Sequence, residues 1–266
     1  MNLSSFPMRL ASKVGRLVRR EAGSTNLGEY WVPNADARVL KDDYRTDLAR
    51  IFFENEGRVI HKWLHYFEIY ERYLSRYRGS DFKMLEIGVS KGGSLAMWRT
   101  YFGPNATIFG IDVNPDCAGR AEAPNQVRIG SQDDPDFLRR VVAEMGGVDF
   151  VLDDGSHVAR HQQASFETLF PLLADGGLYA IEDLHTAYWP DYGGGYGRRG
   201  SAIELLKQSV DDIHHWYHRR PPAFGGADVG AVHFHDSIAV VEKRKALRPI
   251  HTQMGCEEDL LNPADI

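Results

Sequence analysis

The sequence has almost no cysteine. Cys117 and Cys256 are the two it carries, too few for a disulfide framework or a cysteine-rich zinc site, and a scarcity that predicts a reducing, cytoplasmic setting. It also lacks a basic excess. Lys and Arg number 31 against 37 Asp and Glu, a formal net charge of −6, so the whole chain offers no counterion-release mode of nucleic-acid binding, and no nucleic-acid partner is expected. No apolar run approaches the ~18 residues a membrane span needs. The first 23 residues lack the continuous apolar core of a secretory signal. Internal repeats and low-complexity tracts are absent, which excludes a solenoid. What is present is ordinary: 266 residues, 43% hydrophobic and 26% charged, a composition that folds rather than staying disordered. A chain of this length buries roughly 75% of its unfolded surface and needs no covalent staple.

Residues 1–57 read as an N-terminal extension or cap, and 58–266 as one domain. The basic stretch 1–23 places Met8, Leu10, Val14, Leu17 and Val18 on one helical face; it reads as a tail or packing arm, with a membrane-surface or subunit-contact helix as the alternative. Turn residues Gly28, Pro33 and Asn34 precede a polar helix-like run to residue 50. Over 58–78, Trp63, Phe67, Tyr70 and Leu74 recur at helical spacing, which predicts a helix with a core-packing stripe. His61, His65 and Tyr66 could lie near a pocket on it.

From residue 82 the pattern changes. The apolar runs FKMLEIGV, TIFGIDV, VRIG, VDFVLDDG and GGLYAIEDL alternate with the helix-like SLAMWRTYF, DPDFLRRVVAEM and RHQQASFETLFPLL. AVHFHDSIAVVEKR then reads as a hairpin turning at Asp236-Ser237. Alternation of this kind predicts an α/β fold: a Rossmann-like, doubly wound, mostly parallel sheet with a terminal antiparallel strand. Right-handed crossovers put all the parallel strand ends on one edge, where ligands bind. The glycine-rich 191–200 follows a strand end and is a candidate lid. Ser201 and Glu204 read as a capping box opening the next helix.

LEIGVSKGGS, Leu85 to Ser94, closes the first strand. Gly88, Gly92 and Gly93 permit a sharp turn and close approach to a ligand. Glu86 precedes the first glycine, and Asp112 ends the next strand 19 residues after Gly93, where a carboxylate can accept from a ribose diol. A dinucleotide fingerprint would need glycine where Ser90 stands. The pattern E-x-G-x-x-x-G-G-S resembles instead the glycine loop of class I S-adenosylmethionine methyltransferases. That resemblance implies a cofactor site of Glu86, Gly88, Ser90, Gly93, Ser94 and Asp112, with Ser131, Gln132 and Asp133 at the adenine. A tight turn with no ligand is the plain alternative.

LDDGSH (152–157) and AIEDLH (180–185) bring acids to the same edge. Asp154, Glu182 and Asp183 form an oxygen-donor set suited to a hard divalent cation, Mg²⁺ or Mn²⁺, which would also relieve their mutual repulsion. Asp153 and Asp154 are adjacent, so on a strand they face opposite ways. Asp154, nearer the tip, is the expected ligand; Asp153 takes a supporting role. His157 is the side chain best suited to accept a proton near neutral pH. His161, four residues on, is expected to be solvated rather than a metal ligand.

Taken together, LEIGVSKGGSLAMW, DDGSH and GGLYAIEDLHTAYWP resemble the macrocin O-methyltransferase family over about residues 58–245. The resemblance implies a metal-dependent transfer of the S-adenosylmethionine methyl group to a sugar hydroxyl. It implies that Asp154, Glu182 and Asp183 bind Mg²⁺, that His157 is the base, and that the enzyme is a homo-oligomer. Tyr188, Trp189 and His65 are expected at the acceptor. The alternatives are methylation of a phenol or catechol, a cofactor-binding accessory protein without turnover, and, disfavoured by Ser90, an NAD-dependent oxidoreductase.

Overall fold

A computed structural model describes residues 37–221, 228–256 and 260–262. The basic stretch 1–23 and the turn residues Gly28, Pro33 and Asn34 lie outside the described residues. Seven strands form one sheet: β1 (Lys83–Ile87), β2 (Thr107–Asp112), β3 (Gln126–Ile129), β4 (Val148–Asp153), β5 (Leu173–Ile181), β6 (Val229–His235) and β7 (Ile238–Lys243). Their order is β3-β2-β1-β4-β5-β7-β6. The first five strands pair in parallel; β7 runs antiparallel to β5 and to β6. This is the expected doubly wound sheet with an antiparallel end.

Six α-helices are described: α1 (Asp47–Phe53), α2 (Tyr66–Leu74), α3 (Gly93–Phe102), α4 (Pro135–Met145), α5 (Ala159–Leu169) and α6 (Ala202–Ile213). Three of them, α1, α4 and α6, start at a side-chain cap, with Thr46 accepting from the Ala49 amide at α1. Asp134 accepts from the Asp136 and Phe137 amides at α4, and Ser201 accepts from Glu204 at α6. The inner strands β1, β2 and β4 are buried on both faces, as near-continuous apolar runs require, while the edge strands β3 and β6 are only partly buried. One face carries Leu85, Val151, Tyr179 and Val241 against α4, α5 and α6. The other carries Met84, Phe150, Leu178 and Val240 against α1, α2 and α3. Leu48, Ala49 and Phe53 of α1 are buried in that second layer, so part of the expected extension packs as core.

The helix expected over 58–78 is shorter. α2 covers Tyr66–Leu74, and a 3₁₀ turn completes Ser75–Tyr77. Residues 58–62 run without helix and press on the start of α3: a Cβ at Gly93 would lie 2.3 Å from the Val59 carbonyl oxygen. Docking of this segment across the sheet edge overrides its local helical periodicity.

Candidate active site at the carboxyl edge of the sheet

The sheet register builds the site. Ile87 pairs with Asp153, and Asp153 with Ile181. The next residue of each strand therefore sits at one level: Gly88, Asp154 and Glu182. Backbone bonds continue the ladder, with the Asp154 amide donating to Ile87 (3.0 Å) and that of Glu182 to Asp153 (3.0 Å). Gly88 has φ +97°, and a Cβ there would fall 2.1 Å from the Asp154 carbonyl oxygen. Only glycine allows the two loops to cross this closely.

A cleft of about 480 Å³ runs along this edge. Gly88, Ser90, Ser94, Asp112, Ser131 and Gln132 line one end, and Lys62, Asp154, His157, Glu182 and Asp183 the other. Asp112 accepts from the Val89 and Ser90 amides, both at 3.0 Å, and from Asn114 at 2.8 Å. Partial burial opposes ionisation there, but these amides outweigh it and hold the carboxyl below its ordinary range. Glu86 is buried beneath the loop, accepting from Ser94 (2.9 Å) and the Trp98 indole (3.3 Å). Burial pushes its carboxyl up to about 7, against the opposing pull of Lys62.

Several residues expected at the cofactor also hold the loops around it. Asp153 is fully buried, accepting from Ser165 (2.6 Å) and Tyr179 (3.1 Å). Gln132 donates to Asp153 (3.1 Å) while its carbonyl accepts the Ser156 amide (2.7 Å). The glutamine thus ties β4 to the turn carrying His157. Asp133 accepts from Ser131 and lies 3.4 Å from His161 Nε2. His161 also contacts Ser156 at 2.8 Å, so it does not turn toward His157 as a metal pair.

At the acidic end, His157 Nε2 lies 3.9 Å from Asp154 Oδ1 and 3.7 Å from Asp183 Oδ2. Each of the three offers a ligand atom within 4.8 Å of the others. His157 Nδ1 is buried and has no hydrogen-bond partner. Ser90, His157 and Asp183 all adopt left-handed backbone, at φ 48°, 58° and 54°. Non-glycine residues in this region carry strain, which concentrates at functional sites; all three line the cleft.

Glu182, expected in the metal set, is engaged by a lysine and a tyrosine. It is buried, accepts the Tyr70 hydroxyl, and is bonded through both oxygens to Lys62 Nζ at 2.8 and 2.9 Å. Lys62 also bonds Asp154 Oδ2. Burial disfavours the ammonium, but the Asp154 and Glu182 carboxylates outweigh it and raise the Lys62 pKa. Asp183 is steadied from the same segment: Oδ1 lies 3.1 Å from the Trp63 indole and 2.9 Å from the Tyr66 hydroxyl.

Lys62, Trp63, Tyr66 and Tyr70 are therefore polar anchors: Tyr66 is expected near a pocket, Trp63 and Tyr70 read in the sequence as a core stripe, and Lys62 has no reading there. The one signal was a lysine inside an otherwise apolar-aromatic run. Two of the expected acceptor residues lie away from the cleft lining. His65 points to the Asp236 carbonyl (3.0 Å), and Tyr188 is nearly half exposed; neither lines the cleft. Trp189 packs edge-on to His185 (4.9 Å), and Tyr192, unforeseen, links it to His157 at 5.9 and 6.4 Å. The glycines of 191–200 fold back on this wall: the Gly194 amide donates to Trp189 (2.9 Å).

Comparison with known proteins agrees with this architecture. A family model described as a methyltransferase domain matches residues 85–184. The chain is 42% identical over 211 residues to an 8-demethyl-8-(2-methoxy-alpha-L-rhamnosyl)-tetracenomycin-C 3'-O-methyltransferase of Streptomyces olivaceus, covering 74% of this chain and 54% of that protein. It is 36% identical over 199 residues to the demethylmacrocin O-methyltransferase of Streptomyces fradiae, covering 68% and 50%. Among solved structures, the MycE methyltransferase of the mycinamycin pathway, in complex with Mg, SAH and mycinamycin VI, matches with a TM-score of 0.66 at 31% identity, over 81% of this chain and 63% of that one. The chain spans about half the length of the curated relatives it matches. By motif, topology and these similarities together, residues 85–184 form a methyltransferase domain on a Rossmann-like sheet, and the chain as a whole is similar to the macrocin O-methyltransferase-like enzymes.

Proposed function

We propose that this protein transfers the methyl group of S-adenosylmethionine to a hydroxyl of a sugar on a glycosylated natural product, with a divalent cation. One observation carries the reading: a single cleft joins the Gly88–Asp112 cradle to Asp154, His157 and Asp183. The residues fit both groups. The close crossing at Gly88 and the amide-fixed Asp112 suit a nucleoside ligand. The Asp154 and Asp183 carboxylates, with ligand oxygens within 4.8 Å of each other, suit Mg²⁺ or Mn²⁺ and leave His157 beside them as base. The relatives support the acceptor class: they are named as methyltransferases of sugar-bearing tetracenomycin and macrocin.

A bound divalent cation supplies acidity to an acceptor hydroxyl, and S-adenosylmethionine supplies the methyl group. Asp154 Oδ1 and Asp183 Oδ2 present the charge that would hold the cation. His157 Nε2, between them, takes the hydroxyl proton as the acceptor oxygen bonds the methyl carbon and the sulfur leaves. Gln132 and the Ser156 turn keep His157 at this station. Trp189 and Tyr192 form the wall past His157 against which a sugar face would rest. Residues 58–266 form the methyltransferase domain in this reading, with α1 docked on it. Assembly as a homo-oligomer belongs to the same reading and is carried by the family resemblance. Cytoplasmic residence fits the two free cysteines, one of them buried.

The test is methyl transfer from labelled S-adenosylmethionine to desmethyl glycosylated macrolides and tetracenomycins, with catechols in parallel. Transfer to the sugar, dependent on Mg²⁺ and lost in EDTA, is expected. Transfer to catechol alone, or full activity in EDTA, would overturn the acceptor or the metal.

A further inference from the structure

Lys62 occupies an unusual position for a lysine. Its side chain is 2% exposed, yet it lines the cleft. Its ammonium spends its donors on Asp154 Oδ2 and on both oxygens of Glu182. These are two of the three carboxylates expected to hold the divalent ion. A cation approaching Glu182 therefore meets a cation already seated there. Three acids, Asp154, Glu182 and Asp183, crowd this end of the cleft; Lys62 neutralises one charge and leaves the remainder facing His157.

We propose that Lys62 is a resident counter-ion that competes with the divalent cation for Asp154 and Glu182. In the metal-free protein the ammonium holds these carboxylates together against their repulsion. Metal entry requires it to release them, and this exchange sets how tightly the metal is held. The inference rests on the metal reading above and deepens it.

The sign of one measurement separates competition from a supporting role. If Lys62 merely positioned Asp154, removing it would loosen a ligand and weaken metal binding. If it competes, removing it frees Asp154 Oδ2 and Glu182 together and strengthens binding. Mn²⁺ affinity, read from the free-ion paramagnetic resonance signal with no substrate and no turnover, decides this. Lys62→Met is expected to bind Mn²⁺ on the order of tenfold tighter than wild type. The gain should vanish in the Lys62→Met/Glu182→Gln double variant, because the freed carboxylate is its source. Lys62→Gln keeps amide donors to both carboxylates without the charge, and reads the same sign should the methionine variant not fold. Equal or weaker affinity in the folded variants would overturn the competition and leave the metal reading standing. Binding by the variant but not by wild type would support the competition and overturn metal dependence of the wild-type protein. No binding by either would overturn both.

Discussion

The Tyr66 hydroxyl lies 2.9 Å from Asp183 Oδ1, and the Asp183 amide donates back to the same hydroxyl at 3.2 Å. One phenol thus holds both ends of a residue in left-handed backbone (φ 54°). The other carboxylate oxygen is left facing His157 at 3.7 Å. Outer partners of this kind orient a ligand and hold its free atom toward the metal. Tyr66→Phe is therefore expected to weaken Mn²⁺ binding about tenfold, by the usual weight of such partners. The direction is opposite to that expected for Lys62→Met. The same Mn²⁺ titration checks it; unchanged affinity would mean that Trp63 alone fixes Asp183.

His157→Ala should lower methyl transfer by roughly 10²–10⁴-fold, the contribution of a positioned base. Binding of S-adenosylhomocysteine should be unchanged, because the cradle of Gly88, Ser90 and Asp112 lies at the other end of the cleft. Initial rates and calorimetry on one preparation check both. A variant with full rate would remove His157 from the chemistry.

Gly88→Ala should cost about 2–4 kcal/mol of stability, as a Cβ forced into backbone usually does. The added carbon would sit 2.1 Å from the Asp154 carbonyl oxygen at φ +97°. Either β1 or the Asp154 turn must move, so S-adenosylhomocysteine and Mn²⁺ binding should both weaken. Urea melts and the two titrations read this; wild-type stability would show that the crossing is looser than described.

Glu86 gives the protein an alkaline weakness. Its carboxyl is pushed up to about 7 by burial, whereas in the unfolded chain it titrates near 4.3. Between these values the folded state keeps a proton that the unfolded state has lost. Stability therefore falls as pH rises through this window, by up to ~4 kcal/mol, and stays low above it. Glu86→Gln cannot titrate and should flatten that slope. Urea unfolding at pH 5, 6, 7 and 8 in EDTA checks the difference; parallel profiles would show that Glu86 is already ionised.

Much of this was legible without a structure. Short apolar runs ending at glycine or acid mark the tips of β1, β2, β4 and β5, because buried parallel strands must be apolar and their ends must turn. Those tips carry Gly88, Asp112, Asp154 and Glu182, and parallel topology alone brings such tips to one edge. What local reasoning missed was the segment before α2. Its aromatic spacing predicted one long helix, but residues 58–62 lie across the edge instead, with Lys62 against Asp154 and Glu182.

The sequence by itself determined the sheet, its functional edge and the residues that reach it, because periodicity and turn chemistry are local and topology follows from handedness. Only the tertiary structure decided what each acid does there. Asp153 and Asp154 differ by one position, yet one is buried under Ser165 and Tyr179 and the other faces the cleft. Glu182 and Asp183 are neighbours, yet one meets an ammonium and the other an indole and a phenol. A carboxylate's role is set by the charges and donors within a few ångströms, and for Asp154, Glu182 and Asp183 those come from residues 62–70, more than 80 positions away along the chain.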